Sequence, residues 1–400
     1  MVATTPILSI CIPTYNRRPM LERSVRFHLD VFRKLGISFE MVIVDDRSTD
    51  GTHEFLQGLQ GVPEISHYRR VKNSGFLSNY GFAMQRARGK YALFLGDDDL
   101  LIPEKVLEYL RLLEQDPSLG MIQAPWMLVD ERDGGRDMQP FYHIPGPQRF
   151  RQGQFQEMLE YILQHHVFPE FLIIRRDVLQ RSISSLGPFI FWAFLYTTRA
   201  LSNGDILFLP APFARVTGIA ADENVQQGKK ETMFQWDTYL GGLEYLASHA
   251  RISSLDDGGL RLSFHERFNQ FMLIRKSVAL RLHIAFRNWP EAYIMYHRMA
   301  AYHPSPAPKE TFEQICLLAA IVTALTEASG YSGGPVIVDP LVNDEALQLI
   351  PDHLKSVVTR HPGFNQEGPR SWLVMHPDFA AQAGPTDGVF ELRHYIAQFT

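Results

Sequence analysis

Tyr91-Ala92-Leu93-Phe94-Leu95-Gly96-Asp97-Asp98-Asp99 is an apolar run that ends in three consecutive carboxylates. Residues 91–95 are typical of a buried strand rather than of a solvated loop. Three negative charges at the end of such a strand are unfavourable unless a positive charge lies beside them. A divalent cation is the usual partner, because hard cations take oxygen ligands and can bridge protein carboxylates to substrate phosphates. The alternative interpretation is an acidic turn without a ligand.

Strand and helix signals alternate through the first hundred residues. Apolar runs predict strands over 7–12, 41–44, 65–69 and 91–95, and amphipathic segments predict a helix after each of them. This alternation is the pattern of a mainly parallel sheet covered by helices. The predicted fold class is therefore α/β, with a Rossmann-like sheet.

Polar clusters follow three of these strands directly. They are residues 13–18, Asp45-Asp46 and residues 97–99. Open α/β sheets bind ligands in the crevice beyond the carboxyl ends of their strands. We therefore expect the three clusters to meet at one edge of the sheet and to form one site.

Composition limits the class of protein. The chain has 400 residues, of which 45% are hydrophobic, so it can bury the cores of two or three domains. A net charge of -5 gives no basic footprint, and we expect no nucleic-acid partner. Cys11 and Cys316 lie in apolar runs and are interpreted as packed thiols in a reducing compartment. Without a signal-peptide pattern or an apolar run of about 18 residues, we expect a cytoplasmic protein.

Strand signals continue to about residue 216 and then largely disappear. We predict a strand over 121–129, a lid or binding loop over 130–149 and an apolar helix over 190–202. Helical patterns dominate after residue 217. The predicted domains are 1–216 with halves 1–110 and 111–216, a helical extension over 217–302, and a helical region of unknown role over 303–400.

Four motifs stand in order along the first 110 residues. They are Ser-Ile-Cys-Ile-Pro-Thr-Tyr-Asn-Arg at 9–17, Val-Ile-Val-Asp-Asp-Arg-Ser-Thr-Asp-Gly-Thr at 42–52, Asn-Ser-Gly at 73–75, and Arg-Gly-Lys-Tyr at 88–91 before the acidic triplet. Their order and spacing resemble family-2 glycosyltransferases of the GT-A fold. A looser similarity extends to about residue 216.

The resemblance implies that the first loop and the paired acids hold the nucleotide of a nucleotide sugar. Asp45 would accept a hydrogen bond from the base, and an ionised carboxylate, which only accepts, suits the N–H of a pyrimidine in UDP or dTDP. Three of these residues have an alternative role. Asp46 could belong to a turn, and Arg17 could be solvated instead of contacting a phosphate. Gly75 could simply be a turn residue. The residues implied to bind the nucleotide sugar are Pro13, Thr14, Tyr15, Asn16, Arg17, Asp45, Asp46, Asn73, Gly75, Asp97 and Asp98.

The triplet resembles the DxD-type motif of this family. Asp97 and Asp98 would face the sugar and the ribose, and Asp99, together with Asp97, would hold Mg²⁺ or Mn²⁺ against the two phosphates. The cation would offset the charge that develops on the leaving nucleoside diphosphate. Gly96 stands where many members carry another acid, but three acids remain.

The chain departs from the family at the general base. Inverting members usually carry an acidic pair at the start of an apolar helix that precedes a glycine and a strand. Counting back from Gly204, Trp192 and Ala193 take those two places, and no Asp or Glu occurs from 180 to 204. Trp192 has two interpretations, a ring that stacks on a sugar or a core residue.

Three explanations of this departure are open. A base from elsewhere is the first, and Asp222 and Glu223, in a polar loop after the last predicted strand, are the candidates, with Glu170, Asp177 and Asp205 as further nearby acids. An acceptor that needs little deprotonation, or a retaining reaction, is the second. The third is a protein that binds a nucleotide sugar without turning it over. A base contributes about 10²–10⁴-fold, so its loss need not abolish activity.

The resemblance thus implies a metal-assisted, inverting glycosyltransferase with a helical C-terminal extension. Its acceptor would be a glycan, a lipid-linked saccharide or a small molecule. The alternative is a catalytically silent nucleotide-sugar binding or scaffold protein. A nucleotidyltransferase would usually show a glycine-rich, basic loop after the first strand, which this chain lacks. Basic helical residues over 260–298 could contact the inner face of an anionic membrane, or could be a solvated helix face.

Overall fold

The computed structural model describes residues 5–183, 190–219, 233–253, 259–303, 305–333, 335–360 and 370–399. The chain divides into two units. The first comprises residues 1–227 and 237–268, and the second comprises residues 228–236 and 269–400. The domain boundaries at residues 216 and 302 stay predictions.

The first unit contains the alternating strands and helices that the sequence predicts. Its strands are β1 (Leu8–Thr14), β2 (Phe39–Asp45), β3 (Ile65–Arg69), β4 (Tyr91–Phe94), β5 (Leu100–Leu101), β6 (Leu119–Gln123), β7 (Met127–Asp130), β8 (Arg136–Pro140), β9 (Gln148–Phe150), β10 (Leu172–Arg175), β11 (Asp205–Phe208) and β12 (Ala214–Ile219). Its helices are α1 (Arg18–Lys34), α2 (Thr52–Gly58), α3 (Phe76–Gln85), α4 (Pro103–Gln115), α5 (Phe155–His165), α6 (Arg176–Ser182) and α7 (Trp192–Leu201). Helices α8 (Trp236–Ser253) and α9 (Gly259–Ala285) follow.

Among the described residues, the main sheet has eight strands in the order β3-β2-β1-β4-β10-β6-β11-β9. The four strands from β3 to β4 are parallel to one another, whereas β10 runs antiparallel to both β4 and β6. Every residue of β1, β2 and β4 is buried, since helices cover both faces of a parallel sheet. The predicted α/β, GT-A-type class is confirmed.

A second, four-stranded sheet has the order β5-β12-β7-β8. The prediction of a single strand over 121–129 was wrong. The segment is divided into β6 and β7, because Pro125 has no N–H to donate within a strand ladder. The segment 130–149 is not a structureless loop either. A short 3₁₀ helix, Glu131–Asp133, turns the chain into β8, and β9 joins the main sheet.

The second unit combines helices with a small parallel sheet. Its further helices are α10 (Trp289–Ala300), α11 (Lys309–Ser332), α12 (Asp344–Gln348), α13 (Asp352–Lys355), α14 (Pro377–Ala380) and α15 (Leu392–Phe399), and its strands are β13 (Val336–Val338), β14 (Val358–Thr359), β15 (Ser371–Val374) and β16 (Gly388–Glu391). The helical character of the C-terminal region is confirmed, but the sheet, in the order β14-β13-β15-β16, was not predicted. Strands of two to four residues are too short to show a period in the sequence.

Helix α11 is the long apolar helix of the second unit. Its residues Lys309–Tyr331 are long and apolar enough to cross a membrane by length and composition alone, which corrects the expectation that no run reaches that length. Of its most apolar window, 56% is buried inside the protein. The helix packs against α10, α15 and the strands β13, β15 and β16, which is the position of a core helix.

Candidate active site

The loops after β1, β2 and β4 meet at the carboxyl edge of the sheet, as the sequence predicts. Thr14 and Asp45 are register partners at the ends of β1 and β2, and Asp46 N–H donates to the main-chain oxygen of Thr14 at 2.9 Å. Thr14 Oγ1 donates to Asp97 Oδ2 at 2.7 Å, which joins the first loop to the acidic triplet. The three clusters therefore meet at one edge of the sheet, where open α/β sheets bind ligands.

Arg17 is neither solvated nor directed at open solvent. Its side chain reaches the triplet, where Nη2 donates to Asp98 Oδ2 and Nε lies 3.0 Å from Asp97 Oδ1. The second contact is an ion pair without hydrogen-bond direction, because the Nε proton does not point at the oxygen. Arg17 is only 8% exposed. One guanidinium thus neutralises part of a turn that holds three carboxylates.

The charge of this turn remains underbalanced. Burial raises the pKa of Asp97 to about 7, against the opposing charge of Arg17. Burial also raises the pKa of Asp99 well above its usual range, and repulsion from Asp98 and then Asp97 adds to the effect. Acids in this state favour a proton or a cation, so the turn is suited to bind positive charge.

Gly96 explains how the carboxylates of Asp98 and Asp99 come together. A Cβ atom at Gly96 would lie 2.5 Å from Asp99 Oδ2 and 3.3 Å from Asp98 Oδ1. The two side chains therefore gather over the bare glycine. An acid at residue 96, as in many members of the resembled family, would displace the Asp99 carboxylate.

A divalent cation fits this turn in part. Among the described residues, no group of three or more His, Cys, Asp or Glu side chains is arranged to hold a metal ion. Asp97, one of the two predicted metal ligands, is held by Thr14 and Arg17, and Asp98 exerts the larger repulsion on Asp99. Asp98 and Asp99 are the pair that fits, since Mg²⁺ is commonly held by one or two carboxylates together with substrate phosphates.

Asp45 has the orphaned acceptor that a base-binding residue would need. The residue is fully buried, and Oδ1 accepts the Ser48 N–H at 2.8 Å. Oδ2 lies 3.3 Å from Arg69 Nε but accepts no hydrogen bond from the described residues. Asn16 ties the neighbouring loops together, because its N–H donates to Ser48 Oγ and its Oδ1 accepts the Thr49 N–H, each at 2.8 Å.

The remaining predicted nucleotide residues mostly build the crevice wall. Asp46 accepts the N–H groups of Ser74 and Gly75, each at 2.9 Å, so its carboxylate organises the loop before α3. Gly75 has a φ of +79°, which a turn alone explains. Asn73 Oδ1 accepts the same Gly75 N–H at 3.0 Å. Pro13 is a buried residue inside β1, and Tyr15 is 42% exposed beside the crevice.

Trp192 lies in the core. It is 6% exposed, and its ring centroid lies 4.9 Å from that of Tyr80 and 5.7 Å from that of Phe94. Phe94 ends the strand that precedes Gly96, so the start of α7 lies behind the acidic turn. The position where the resemblance expects an acid is therefore close to the site but is filled by an aromatic cluster, and the stacking role has no support from this geometry.

The candidate bases Asp222 and Glu223 lie outside the described residues. The last described residue before them, Ile219, is the register partner of Asp130 in the second sheet. Two other acids are engaged elsewhere: Asp177 pairs with Arg181 at 3.2 Å and Asp205 with Arg149 at 2.7 Å. Glu170 is half-buried.

Helix α1 supports the acidic turn in a way that the sequence reasoning missed. His28 is fully buried, its Nε2 accepts the Leu101 N–H at 3.0 Å, and its protonated Nδ1 donates to the Ser24 carbonyl at 2.7 Å. Burial lowers the pKa of His28 to about 4, which keeps the ring neutral. Arg23 donates to the Asp98 carbonyl at 3.2 Å and to Glu131 Oε1 at 3.0 Å. The sequence did contain one indication of this role, because His28 is a polar residue on the apolar face of the predicted helix.

The chain is similar to known proteins in sequence and in structure. The sequence pattern of the family "Glycosyl transferase family 2" matches residues 9–182. The chain is 32% identical over 142 residues to the putative teichuronic acid biosynthesis glycosyltransferase TuaG of Bacillus subtilis, a match that covers 35% of this chain and 54% of TuaG. It is 30% identical over 135 residues to the abequosyltransferase RfbV of Salmonella typhimurium, covering 33% of this chain and 38% of RfbV.

Solved structures are similar at a greater distance. The structure of S. aureus TarS 1-349 in complex with UDP-GlcNAc is 16% identical, with a TM-score of 0.45, and the match covers 80% of this chain and 85% of that chain. The matched segment spans between 36% and 54% of the first three curated relatives.

Proposed function

We propose, since residues 9–182 of this chain belong to glycosyl transferase family 2, that the protein moves a sugar from a nucleoside diphosphate sugar to a saccharide acceptor. The observation that carries this proposal is the crevice at the carboxyl edge of the sheet. It combines an orphaned buried acceptor on Asp45 with an acidic turn short of positive charge at Asp97–Asp99. A nucleotide sugar accompanied by a cation supplies both an N–H donor and the missing charge.

The donor nucleotide is UDP or dTDP. Asp45 Oδ2 accepts no hydrogen bond from the described residues, and a uracil or thymine base offers one N–H where a carboxylate can accept it. Tyr15 and Asn16, which follow Thr14 in the loop after β1, are exposed. Supplying a hydrogen bond to a buried acceptor that lacks one is worth about 1–3 kcal/mol, which is enough to favour a matching base.

The cofactor is Mg²⁺ or Mn²⁺, held by Asp99 with Asp98, while Asp97 keeps its contact to Thr14. When bound, the ion would offset the charge on the leaving diphosphate. We propose that two loops position the donor, the loop after β1, which Asn16 joins to Ser48, and the loop before α3, which Asp46 holds. Asp97 and Asp98 remain the residues proposed to face the sugar and the ribose.

The acceptor is proposed to be a growing saccharide, free or lipid-linked, because TuaG is named for teichuronic acid biosynthesis. Asp222 and Glu223 remain the candidate bases of an inverting reaction. The described strand that leads toward them ends beside Asp130, next to Glu131, which Arg23 connects to the acidic turn. Substituting Asp222→Asn or Glu223→Gln should lower turnover with little change in nucleotide affinity, and full activity in both variants would refute the assignment.

A silent nucleotide-sugar binder is the second candidate function. It is favoured by one observation, the replacement of the usual acidic pair by Trp192 and Ala193 in an aromatic core. Slow hydrolysis of the donor would support the enzyme. A bound donor that survives with every saccharide acceptor tested would support the silent binder.

The donor site is tested by thermal unfolding with UDP or dTDP, with and without Mn²⁺. We expect a rise in Tm with nucleotide and cation together, lost in Asp99→Asn. The matched control is Asp30→Asn, the same chemical change at an exposed residue that pairs with Lys34 on α1. If no nucleoside diphosphate raises the Tm of the unsubstituted protein in the presence of Mn²⁺ or Mg²⁺, both candidate functions fail.

The proposed location is cytoplasmic, with peripheral contact to the inner face of the membrane through residues 260–298. Ile274, Phe286 and Ile294 are exposed there, and Arg281 lies on the exposed side of α9. An apolar side chain beside a basic one is the arrangement that binds an anionic bilayer surface. Sedimentation with vesicles of anionic lipid tests the contact, and equal recovery with neutral vesicles would exclude it.

A further inference from the structure

Arg17 has an unusual position for a residue in a ligand-binding loop. Its carbonyl accepts the Leu21 N–H at 3.0 Å, so the backbone is fixed at the start of α1. The side chain turns inward, is 8% exposed, and holds the carboxylates of both Asp97 and Asp98. Only the side chain can leave this position without unwinding the helix.

The guanidinium lies where an added cation would be repelled. Asp98 Oδ2 accepts from Arg17, while Asp98 Oδ1 and Asp99 Oδ2 lie 3.3 Å and 2.5 Å from the place that a Cβ atom at Gly96 would take. A divalent ion bound to Asp98 and Asp99 would therefore share the Asp98 carboxylate with the positively charged guanidinium of Arg17. Two positive charges that share one carboxylate repel each other, and the repulsion is only partly screened here, because Arg17 is 8% exposed and the Asp98 side chain 29%.

We propose that Arg17 is the internal counter-ion of the acidic turn and exchanges places with the donor's cation. The divalent ion takes over Asp98, and the released guanidinium turns to the donor's diphosphate. A guanidinium matches phosphate oxygens with two parallel N–H groups, so it has a favourable second partner. The contact between Arg17 and the diphosphate rests on the proposed function. The competition between Arg17 and the cation is independent of it.

The exchange has a thermodynamic consequence. Cation and nucleotide should each bind weakly alone and tightly together, because the diphosphate accepts the arginine that the cation displaces. Coupling of this kind is reciprocal, so each ligand must improve the affinity of the other by the same factor. Removing the arginine should therefore raise the affinity for the cation, which loses its competitor, and lower the affinity for the nucleotide, which loses a partner.

The experiment is a titration of the full chain with Mn²⁺ alone. The electron paramagnetic resonance signal of the free ion measures how much Mn²⁺ remains unbound. Arg17→Met is compared with the unsubstituted protein and with Arg23→Met. Arg23 is the matched control, since its substitution removes the same charge beside the same turn, but it donates to the main-chain carbonyl of Asp98 and to Glu131 rather than to a carboxylate of the turn. We expect Arg17→Met to bind Mn²⁺ about tenfold more tightly or better, and Arg23→Met to change by about threefold or less.

An unchanged or weaker Mn²⁺ affinity in Arg17→Met would overturn the proposal, and so would an equal gain in Arg23→Met. Should Arg17→Met fail to fold without metal, Arg17→Lys serves instead, because an ammonium cannot span two carboxylates in the fork geometry. That variant should bind Mn²⁺ about threefold more tightly, and no gain would again count against the exchange.

A second titration with UDP or dTDP at saturating Mn²⁺ separates the two levels of inference. Arg17→Met should bind the nucleotide about tenfold more weakly than the unsubstituted protein. An unchanged nucleotide affinity would overturn the diphosphate step. If neither protein binds either nucleotide while the gain in Mn²⁺ affinity stands, the proposed function fails and the competition between Arg17 and the cation survives.

Discussion

His28 should give the first unit a stability that is lost on acidification. Its folded pKa is about 4, below the ordinary value of 6.5, because the ring is buried between Ser24 and Leu101. A depressed folded pKa means that the contribution is fully present above pH 6.5 and is lost as the pH falls toward 4. Each pH unit in that window is worth about 1.4 kcal/mol, so lowering the pH from 7.5 to 5 should remove about 2 kcal/mol.

The variant His28→Leu isolates this contribution. At pH 7.5 it should be about 2 kcal/mol less stable than the unsubstituted protein, because the Leu101 N–H loses its acceptor in a buried place. At pH 5 the difference should shrink toward zero. Asp97, whose pKa is raised to about 7, acts in the opposite direction, since its contribution falls as the pH rises from 3.8 to 7. It is common to both proteins and cancels in the difference.

Urea unfolding at pH 7.5, 6 and 5 measures the effect. His143→Leu is the control, because His143 is exposed and should show no shrinking difference. A difference between His28→Leu and the unsubstituted protein that stays constant across this pH range would refute a buried, neutral imidazole at residue 28.

Three further substitutions test the crevice. Asp45→Asn should keep the Tm within about 2 °C but weaken the binding of UDP or dTDP about tenfold, because an amide presents an N–H donor where the base needs an acceptor. Calorimetry measures the affinity, and an equal affinity would argue against a base contact. Asp46→Ala should lower the free energy of unfolding by about 2–3 kcal/mol in urea, since the Ser74 and Gly75 N–H groups lose their acceptor. Gly96→Ala should weaken Mn²⁺ about tenfold in the presence of UDP, because the new Cβ would lie 2.5 Å from Asp99 Oδ2; an unchanged affinity would show that Asp99 can be displaced without cost.

The first half of the fold was open to prediction because its determinants are local. Residues in β1, β2 and β4 are buried on both faces, so each strand is a continuous apolar run that the sequence displays directly. The carboxyl edge then follows from the rule that parallel strands end together. Asp97–Asp99 could be placed at that edge before any coordinate was known.

Other features depend on contacts between distant segments. The pairing of Arg17 with Asp98 joins residues 81 positions apart, and nothing near either residue announces it. The small sheet of the second unit consists of strands such as β14, with two residues, that no periodicity can reveal. Asp46 illustrates a third case, since a carboxylate that organises a loop and one that binds a ligand look alike in sequence.

The aromatic cluster around Trp192 bears on whether an acidic side chain could be accommodated at this position. Tyr80, Phe94 and Tyr196 pack around the indole, which is 6% exposed. A glutamate introduced there would exchange a large ring for a small chain and would place an unpaired charge among apolar groups. A single codon change would therefore yield a damaged core instead of a base. The rings of three separate elements, α3, β4 and α7, would have to be replaced together before residue 192 could carry a solvated carboxylate.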